Sequence, residues 1–316
     1  MYGQVHIPFF FGLLFIHIYT SLFLEIREDC GRLSALHRGG QTMSLFTVDK
    51  GKCRKDGICV AVCPAWIIEL KDNSDAPTPS DDAEALCINC GHCVAACPHG
   101  ALSHRAMTPE QCTPIVQARQ PDVNQVGQFL GSRRSIRTYQ NKAVERQVLI
   151  KIVDIVRLAP SGINSQPVEW LIIYDSKEVQ RLAGCAIEWM RVMLKDRPQF
   201  AASLRMDRTV KRWESGVDSI CRRAPHVFIA HAEKDNPMAA SSCTIALTHL
   251  ELVVHAFGLG ACWAGYLDAA ARFWPPMKKE LGLPVGHVSF GAMMVGYPKF
   301  NYYRIPLRKE MSITWR

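Results

Sequence analysis

Three features are missing from this sequence of 316 residues, and each absence excludes a class of protein. The chain lacks the polar bias of a disordered or fibrous protein, because 48% of its residues are hydrophobic and only 21% are charged. It lacks an acidic excess, since 37 Lys and Arg residues face 29 Asp and Glu residues, and the net charge of +8 is spread along the chain. We therefore expect a globular protein that binds a small anion or an acidic partner, and no nucleic acid.

A glycine fingerprint for a nicotinamide dinucleotide is the third missing feature. Gly258 and Gly260 are followed by Gly265, which comes too late for the G-x-G-x-x-G spacing, and these glycines follow an apolar helical pattern rather than a strand. The sequence therefore predicts no separate dinucleotide-binding domain.

Charged side chains are absent from the first 24 residues, and the apolar run that begins at Phe9 continues to Ile26. About 20 apolar residues can span a bilayer, so residues 1–42 are interpreted as a possible membrane anchor. Basic residues after the run would leave the main body of the chain in the cytoplasm: Arg27, Arg32 and Arg38.

A second interpretation of residues 1–42 stays open beside the anchor. The segment that starts at Met43 reads like the natural beginning of a small soluble domain, and the charge-free stretch before it contains Pro8 and His17, which suit a spanning helix poorly. Residues 1–42 would then come from upstream DNA translated from a wrongly chosen start codon. Both interpretations place the rest of the chain in the cytoplasm.

Thirteen cysteines are present, and seven of them fall between Cys53 and Cys97, a bunching that disulfide scaffolds do not show in a chain of this length. Residues 53–64 read C-R-K-D-G-I-C-V-A-V-C-P, and residues 87–98 read C-I-N-C-G-H-C-V-A-A-C-P. The two segments are copies separated by 34 positions, as from Cys53 to Cys87. Asp56 stands in the first copy where Cys90 stands in the second.

The second copy has the spacing C-x2-C-x2-C-x3-C-P, in which three thiolates hold one iron–sulfur cluster and the fourth reaches a neighbouring cluster. Paired zinc sites would not explain the trailing C-x3-C-P of both copies. The segment at residues 45–105 resembles the bacterial two-cluster ferredoxins, and we expect a ferredoxin domain over residues 43–105. The predicted ligand sets are Cys63, Cys87, Cys90 and Cys93 for one [4Fe-4S] cluster, and Cys53, Asp56, Cys59 and Cys97 for the other.

Asp56 is the departure from the repeat. A carboxylate is a harder ligand than a thiolate, so our hypothesis is a weakly held iron and easy conversion between [4Fe-4S] and [3Fe-4S] forms. In the alternative, Asp56 faces solvent and water or hydroxide occupies that corner of the cluster.

A proline-containing linker is predicted over residues 106–125, and a larger α+β domain over residues 126–316. Residues 144–158 carry an apolar helical stripe, and residues 243–257 form an apolar helix that Gly258 ends. Short buried strands are predicted at residues 171–174 and 227–230. Because strands and helices do not alternate regularly, the pattern favours an α+β fold over a doubly wound sheet.

Four stretches of this domain together resemble the FMN-dependent nitroreductase family. Residues 133–137 read R-R-S-I-R, residues 159–167 read A-P-S-G-I-N-S-Q-P, and residues 258–265 read G-L-G-A-C-W-A-G. A basic C-terminal tail completes the set. Clustered guanidinium groups suit a phosphate monoester, because each can donate paired, charge-assisted hydrogen bonds.

The resemblance implies roles for individual residues. The FMN phosphate and ribityl chain would be held by Arg133, Arg134, Ser135 and Arg137, with Arg308 and Lys309 joining at the phosphate. The flavin ring and ribityl hydroxyls would be met by Ser161, Asn164 and Gln166, and flavin N5 by the backbone of Ala264 and Gly265. The family forms homodimers with FMN at the subunit interface. Val168 departs from the family, which often has an aromatic residue there.

The sequence thus predicts a cytoplasmic flavin-dependent reductase in which electrons enter through two iron–sulfur clusters and reach FMN. We expect the substrate to be a small electron-poor acceptor such as a nitroaromatic or quinone, and the donor to be NAD(P)H, ferredoxin or another reduced partner. No side chain is assigned as a catalytic acid or base, because the chemistry belongs to the cofactors. The alternative is a non-enzymatic electron carrier or a redox sensor that responds to iron or oxygen.

Overall fold

The computed structural model describes residues 44–71 and 76–316. Both interpretations of the leader at residues 1–42 therefore lie outside the described residues. Within the described ranges, no helix is long and apolar enough to cross a membrane.

The N-terminal domain is built from short elements around a small apolar core. Its strands are β1 (Phe46–Val48), β2 (Ile68–Glu69), β3 (Thr78–Pro79) and β4 (Leu102–His104), and its helices are α1 (Ile58–Ala61), α2 (Ala83–Leu86) and α3 (His92–Ala95). β1 pairs with β4 and β2 pairs with β3, both antiparallel. The first pairing joins the two ends of the domain and brings the two cysteine segments together.

The sequence predicts a surface loop for the polar segment between the two cysteine copies, residues 71–82. The structure shows a short strand in part of this segment. Residues 78 and 79 form β3, and Ala76 is buried. The antiparallel pairing with β2 overrides the turn-forming composition, because it satisfies the backbone hydrogen bonds of this stretch.

The C-terminal domain is a four-stranded antiparallel sheet with helices on both faces. Its strands are β5 (Glu169–Ile173), β6 (His226–Glu233), β7 (Gly260–Trp263) and β8 (His287–Gly296), in the order β5-β6-β8-β7. Its helices are α4 (Val123–Ser132), α5 (Arg146–Val156), α6 (Ser176–Asp196), α7 (Pro198–Ser203), α8 (Met206–Glu214), α9 (Ala239–Ala256), α10 (Gly265–Phe273) and α11 (Pro275–Leu281). The α+β prediction is confirmed.

Successive side chains of a strand point to opposite faces of the sheet, so the core of this domain has two layers, one on each face. Ile229 and Met294 pack against α6, α10 and α11 on one face, whereas Phe228 and Met293 pack against α5 and α9 on the other. The predicted linker contains two short 3-10 helices, Pro109–Gln111 and Gln117–Arg119, and leads directly into α4.

Candidate functional site

The backbone of the two cysteine segments repeats as closely as the sequence does. Lys55 and Asn89 have φ angles of 56° and 52°, and Gly57 and Gly91 share a φ of 71°. Each glycine immediately precedes a four-residue helix, α1 or α3. The left-handed turns curl each loop around a hollow before its helix begins, and glycine adopts this conformation at little cost.

Two cavities lie inside these curled loops. One is lined by the four thiols Cys63, Cys87, Cys90 and Cys93. The other is lined by Cys53, Asp56, Cys59 and Cys97. Each cavity thus gathers three ligands of one copy and the last cysteine of the other copy. The donor set and its crosswise arrangement fit two iron–sulfur clusters.

Asp56 lines the second cavity but is the most exposed member of its set, with 36% of its side chain accessible. Its Oδ1 accepts a hydrogen bond of 3.1 Å from the backbone N–H of Ile58, and its Oδ2 lies 3.9 Å from His99 Nε2. The carboxylate is therefore fixed at the start of α1, at the corner of the cavity where the repeat places Cys90 in the other copy.

Burial controls the protonation of the thiols. It raises the pKa of Cys93 to about 11 and also raises the pKa values of Cys59 and Cys87, because an apolar surrounding disfavours the thiolate. These sulfurs become thiolates only when a metal supplies the compensating charge. At neutral pH these three thiols are therefore poor free nucleophiles.

Two histidines contact the sulfurs of the first cavity. His104 Nε2 lies 3.5 Å from Cys87 Sγ, and His92 Nδ1 lies 3.1 Å from Cys90 Sγ. Because His104 Nδ1 accepts the backbone N–H of Ala106 at 3.0 Å, its proton is on Nε2 and points at the sulfur. The pairing of β4 with β1 positions His104, and no spacing in the sequence indicates this contact.

The R-R-S-I-R segment runs beside β7 in the C-terminal domain. Ser135 forms a parallel bridge with Ala261, and the Ile136 N–H donates to the Ala261 carbonyl at 2.9 Å. Gly260 is required at this contact, because a Cβ there would collide with the Ile136 side chain. The segment is thereby fixed next to the strand that leads to Ala264 and Gly265.

The three arginines of this segment have different surroundings. Arg133 donates to Glu251 Oε1 on α9 at 2.6 Å, and both side chains are largely buried. Arg134 turns back onto the Gly131 carbonyl, while Arg137 is exposed and lies 3.4 Å from the Ser135 carbonyl. The Arg133–Glu251 pair fixes one guanidinium, and the sequence pattern does not indicate Glu251.

The loop at residues 161–166 is held in an unusual backbone conformation. Ile163, Asn164 and Gln166 have φ angles of 47°, 54° and 44°, in the left-handed region. Ser161 Oγ accepts the Gln166 N–H at 2.9 Å and closes the loop. Val168 follows and packs into the core layer beside α5 and α9.

Ala264 and Gly265 stand where β7 passes into α10. Ala264 is buried and its N–H donates to the Ala292 carbonyl at 2.8 Å, whereas Gly265 is exposed and has open space on its Cβ side. Gly265 begins α10, so its N–H is one of the free donors of a helix N-terminus. This donor, the open space and the nearby arginines fit an anionic flavin nucleotide.

The C-terminal tail, residues 301–316, has no regular secondary structure and is exposed, and it contains Arg308 and Lys309. Ile305 packs against the backbone of Gly131, at the end of α4 and beside the arginine segment. The tail therefore passes the predicted phosphate site, whereas the Arg308 and Lys309 side chains are exposed to solvent, so their role at the phosphate stays a prediction.

Asn164 connects the two domains. Its side-chain amide donates to the carbonyls of Ile88 and Asn89 at 3.2 and 3.1 Å, and these two residues lie between the cluster cysteines Cys87 and Cys90. The loop predicted to meet the flavin is thus hydrogen-bonded to the loop predicted to hold a cluster.

Comparison with known proteins matches both domains separately. Residues 130–297, more than half of the chain, match the Nitroreductase family, and residues 52–102 match the 4Fe-4S dicluster domain. A candidate NADH dehydrogenase/NAD(P)H nitroreductase of Methanothermobacter thermautotrophicus is 23% identical over 170 residues, which cover 54% of this chain and 75% of the relative. NADH-quinone oxidoreductase subunit I of Pelobacter propionicus is 33% identical over 93 residues, 27% of this chain and 48% of that protein.

Solved structures with a similar fold include a nitroreductase with bound FMN from Bacteroides fragilis. That protein is 21% identical, the match covers 61% of this chain and 96% of that one, and the TM-score is 0.47. The chain belongs to the nitroreductase family and carries a 4Fe-4S dicluster domain in front of the family's own domain.

Proposed function

We propose that the protein is an FMN-dependent oxidoreductase that receives electrons through its two iron–sulfur clusters and reduces a small electron-poor acceptor. Nitroaromatics and quinones are the acceptor classes we favour. Membership of the nitroreductase family supports the flavin chemistry, and the dicluster domain supports one-electron entry.

The Asn164 contact is the observation that carries the proposed electron path. Electrons pass efficiently only between centres that lie close together, and Asn164 holds the flavin loop against the backbone between Cys87 and Cys90. We assign the cluster of Cys63, Cys87, Cys90 and Cys93 as the one nearer the flavin. The cluster with Asp56 would then be the outer one, and its exposed rim would meet the electron donor.

The chain's own residues bind and orient the flavin in this proposal. Arg134 and Arg137 bind its phosphate, Arg133 is held ready for the same group by Glu251, and Arg308 and Lys309 approach from the tail. Ser161 and Gln166 would meet the ring and ribityl hydroxyls, and Asn164 would do so through its side-chain oxygen, because its amide donates to Ile88 and Asn89. The Gly265 N–H would meet N5. FMN itself stores two electrons and passes them on, so the protein supplies position, charge and access.

A homodimer is part of the proposal. The C-terminal tail exposes large apolar side chains, with Leu307 and Trp315 at 99% and 87% exposure. Exposed apolar side chains of this size suit burial against another subunit, because burial of their area stabilises association. We also propose a cytoplasmic location, where reducing conditions keep cluster thiolates from forming disulfides.

The proposal is tested on protein purified without oxygen. Iron, sulfide and FMN are determined per chain, and absorbance of flavin and clusters is followed during addition of NADH, NADPH and then reduced ferredoxin. We expect about seven to eight irons and one FMN, as two such clusters require. Both chromophores should be bleached by one donor and reoxidised by a nitroaromatic or quinone. Iron without flavin would contradict the assignment of the C-terminal domain.

A redox sensor remains the second candidate because of Asp56, whose carboxylate lines a cavity otherwise made of thiols. A sensor predicts reversible conversion of that cluster by iron or oxygen and no turnover of small acceptors. Sustained turnover with an unchanged cluster would favour the enzyme.

A further inference from the structure

Three strands of the C-terminal sheet bring polar side chains to one face at the same end. Glu169, at the start of β5, lies opposite His231 of β6, and His231 lies opposite Ser289 of β8. His287 lies two positions before Ser289. Since directly opposed residues and alternate residues of a strand share a face, all four side chains point to the same side.

These polar residues lie where the regular pairing of β6 with β8 is interrupted. The register between β6 and β8 shifts between Ala230 and His231, so the buried His231 is the first residue of β6 after the irregularity. Ser289 donates to Asp268 Oδ1 at 2.7 Å, and Asp268 pairs with Arg272 on α10 at 2.9 Å. These partners close the polar cluster on the α10 side and leave Glu169 and the two histidines facing each other.

The geometry of the three residues resembles a metal-ligand set. The Nδ1 atoms of His231 and His287 are 3.0 Å apart, and a Glu169 carboxylate oxygen lies 4.0 Å from the His287 ring. One ligand atom from each residue falls within 4.8 Å of the other two. Two nitrogens bound tetrahedrally to Zn²⁺ at 2.0–2.1 Å are roughly 3.3 Å apart, so the histidine pair is already close to that spacing.

Burial and charge also suit a cation. His231 is 4% exposed, and this burial lowers its pKa, so its imidazole is neutral and keeps a free lone pair. Without a metal, the two facing Nδ1 atoms share one proton. The Glu169 side chain is 58% exposed and can turn toward the pair, supplying a negative charge and an entry path from solvent.

We propose that Glu169, His231 and His287 form a binding site for a divalent transition metal, distinct from both cluster cavities. Two imidazoles and one carboxylate suit Zn²⁺, Co²⁺ or Ni²⁺, whereas Ca²⁺ and Mg²⁺ require more oxygen ligands. With three protein ligands, a fourth position is left for water or for a donor atom of a small molecule.

Zinc binding to the cluster-loaded protein tests this site. Loaded clusters are necessary, because empty cysteines also bind Zn²⁺. After treatment with a mild chelator, the protein is dialysed against micromolar free Zn²⁺, and bound zinc is measured together with iron and FMN. We expect one zinc per chain in the unmodified protein and none in His231→Ala.

Two further variants keep the test decisive if His231→Ala folds poorly. Glu169→Gln changes an exposed side chain and should weaken zinc binding at least about tenfold with iron and FMN content unchanged. His249→Ala, on α9 and outside the cluster, should bind zinc like the unmodified protein. No bound zinc in the unmodified protein, or equal affinity in Glu169→Gln, would overturn the proposal and leave the proposed oxidoreductase function untouched.

Discussion

At the scale of single residues, we propose that Asp56 decides the character of one cluster. Its carboxylate lines one cavity at the position that Cys90 occupies in the other, and the Asp56 side chain is partly open to solvent. We predict that the variant Asp56→Cys holds a [4Fe-4S] cluster there that is more stable in air than the cluster of the unmodified protein, because thiolate binds iron in such clusters better than carboxylate. Iron analysis and EPR spectroscopy after exposure to air measure the change.

The matched control for that variant is Asp49→Cys, a nearby exposed carboxylate that caps backbone N–H groups outside the cavity. It should leave iron content and EPR signals unchanged. Identical cluster type and air stability in Asp56→Cys and the unmodified protein would contradict the role of Asp56 as a ligand.

His104 is expected to tune the other cluster. Its Nε2 proton points at Cys87 Sγ, and a hydrogen bond to a cluster sulfur stabilises the reduced, more negative state. His104→Leu should therefore lower the reduction potential of that cluster, which spectroelectrochemistry measures. The control is His99→Leu at the other cavity, which should leave this potential unchanged. If His104→Leu also left the potential unchanged, the hydrogen bond from His104 would not tune the cluster.

Residue types at fixed spacing predicted which residues line each of the two cavities, since the repeat alone aligns Cys53 with Cys87 and Asp56 with Cys90. His104 was not predictable in the same way. Its contact depends on the pairing of β4 with β1, and that pairing joins residues more than fifty positions apart.

At the scale of elements, the contact between β7 and the arginine segment depends on Gly260. A methyl group there would press into Ile136, which is buried. Gly260→Ala should destabilise the C-terminal domain by about 1–3 kcal/mol, as overpacking does, and reduce FMN retention. Gly127→Ala on α4 meets no neighbour and should be neutral or stabilising by up to about 1 kcal/mol. Thermal unfolding compares the two, and equal effects would contradict the packing argument.

His226 joins three segments and predicts a pH dependence. Its Nε2 accepts the Val144 N–H at 2.8 Å, and its Nδ1 donates to the Tyr174 carbonyl at 2.8 Å. Burial lowers its pKa below the ordinary value near 6.5, so the stability it contributes is present above that value and lost as pH falls through the lowered pKa.

The comparison variant is His226→Gln, which cannot take up a proton. Between about pH 7.5 and pH 5.5, its melting temperature should fall less than that of the unmodified protein. Both proteins carry the same clusters, so acid damage to the clusters cancels in the comparison. Parallel curves would show that His226 does not titrate on unfolding.

Long periodic elements were the predictable part of the fold. The apolar stripe of residues 144–158 corresponds to α5, Arg146–Val156, and the apolar run of residues 243–257 to α9, Ala239–Ala256. β3 escaped prediction because two residues carry no period, and only its partner strand β2 makes it a strand.

At the scale of the whole molecule, Asn164 links the two domains. Asn164→Asp removes the amide donor and places a carboxylate against the Ile88 and Asn89 carbonyls, so the contact should open. Hydrogen exchange of residues 88–91 should increase while iron content stays constant. Asn124→Asp, on exposed α4, is the control; unchanged exchange in both variants would show that the contact does not hold the domains together.

The two families were recognisable from sequence because each carries a set of local motifs. The junction between them was not, since nothing in the order of residues indicates that Asn164 reaches the loop between Cys87 and Cys90. That contact arises only when both domains are folded and placed side by side.

The order in which the cofactors are reduced tests the account most directly. Reduced ferredoxin is mixed without oxygen with the fully loaded protein, and flavin absorbance and cluster EPR signals are followed on the millisecond scale. We predict that the clusters are reduced first and that the flavin is reduced as the clusters are reoxidised. Flavin reduction that precedes cluster reduction, or proceeds equally fast in protein stripped of its clusters, would contradict electron entry through the clusters.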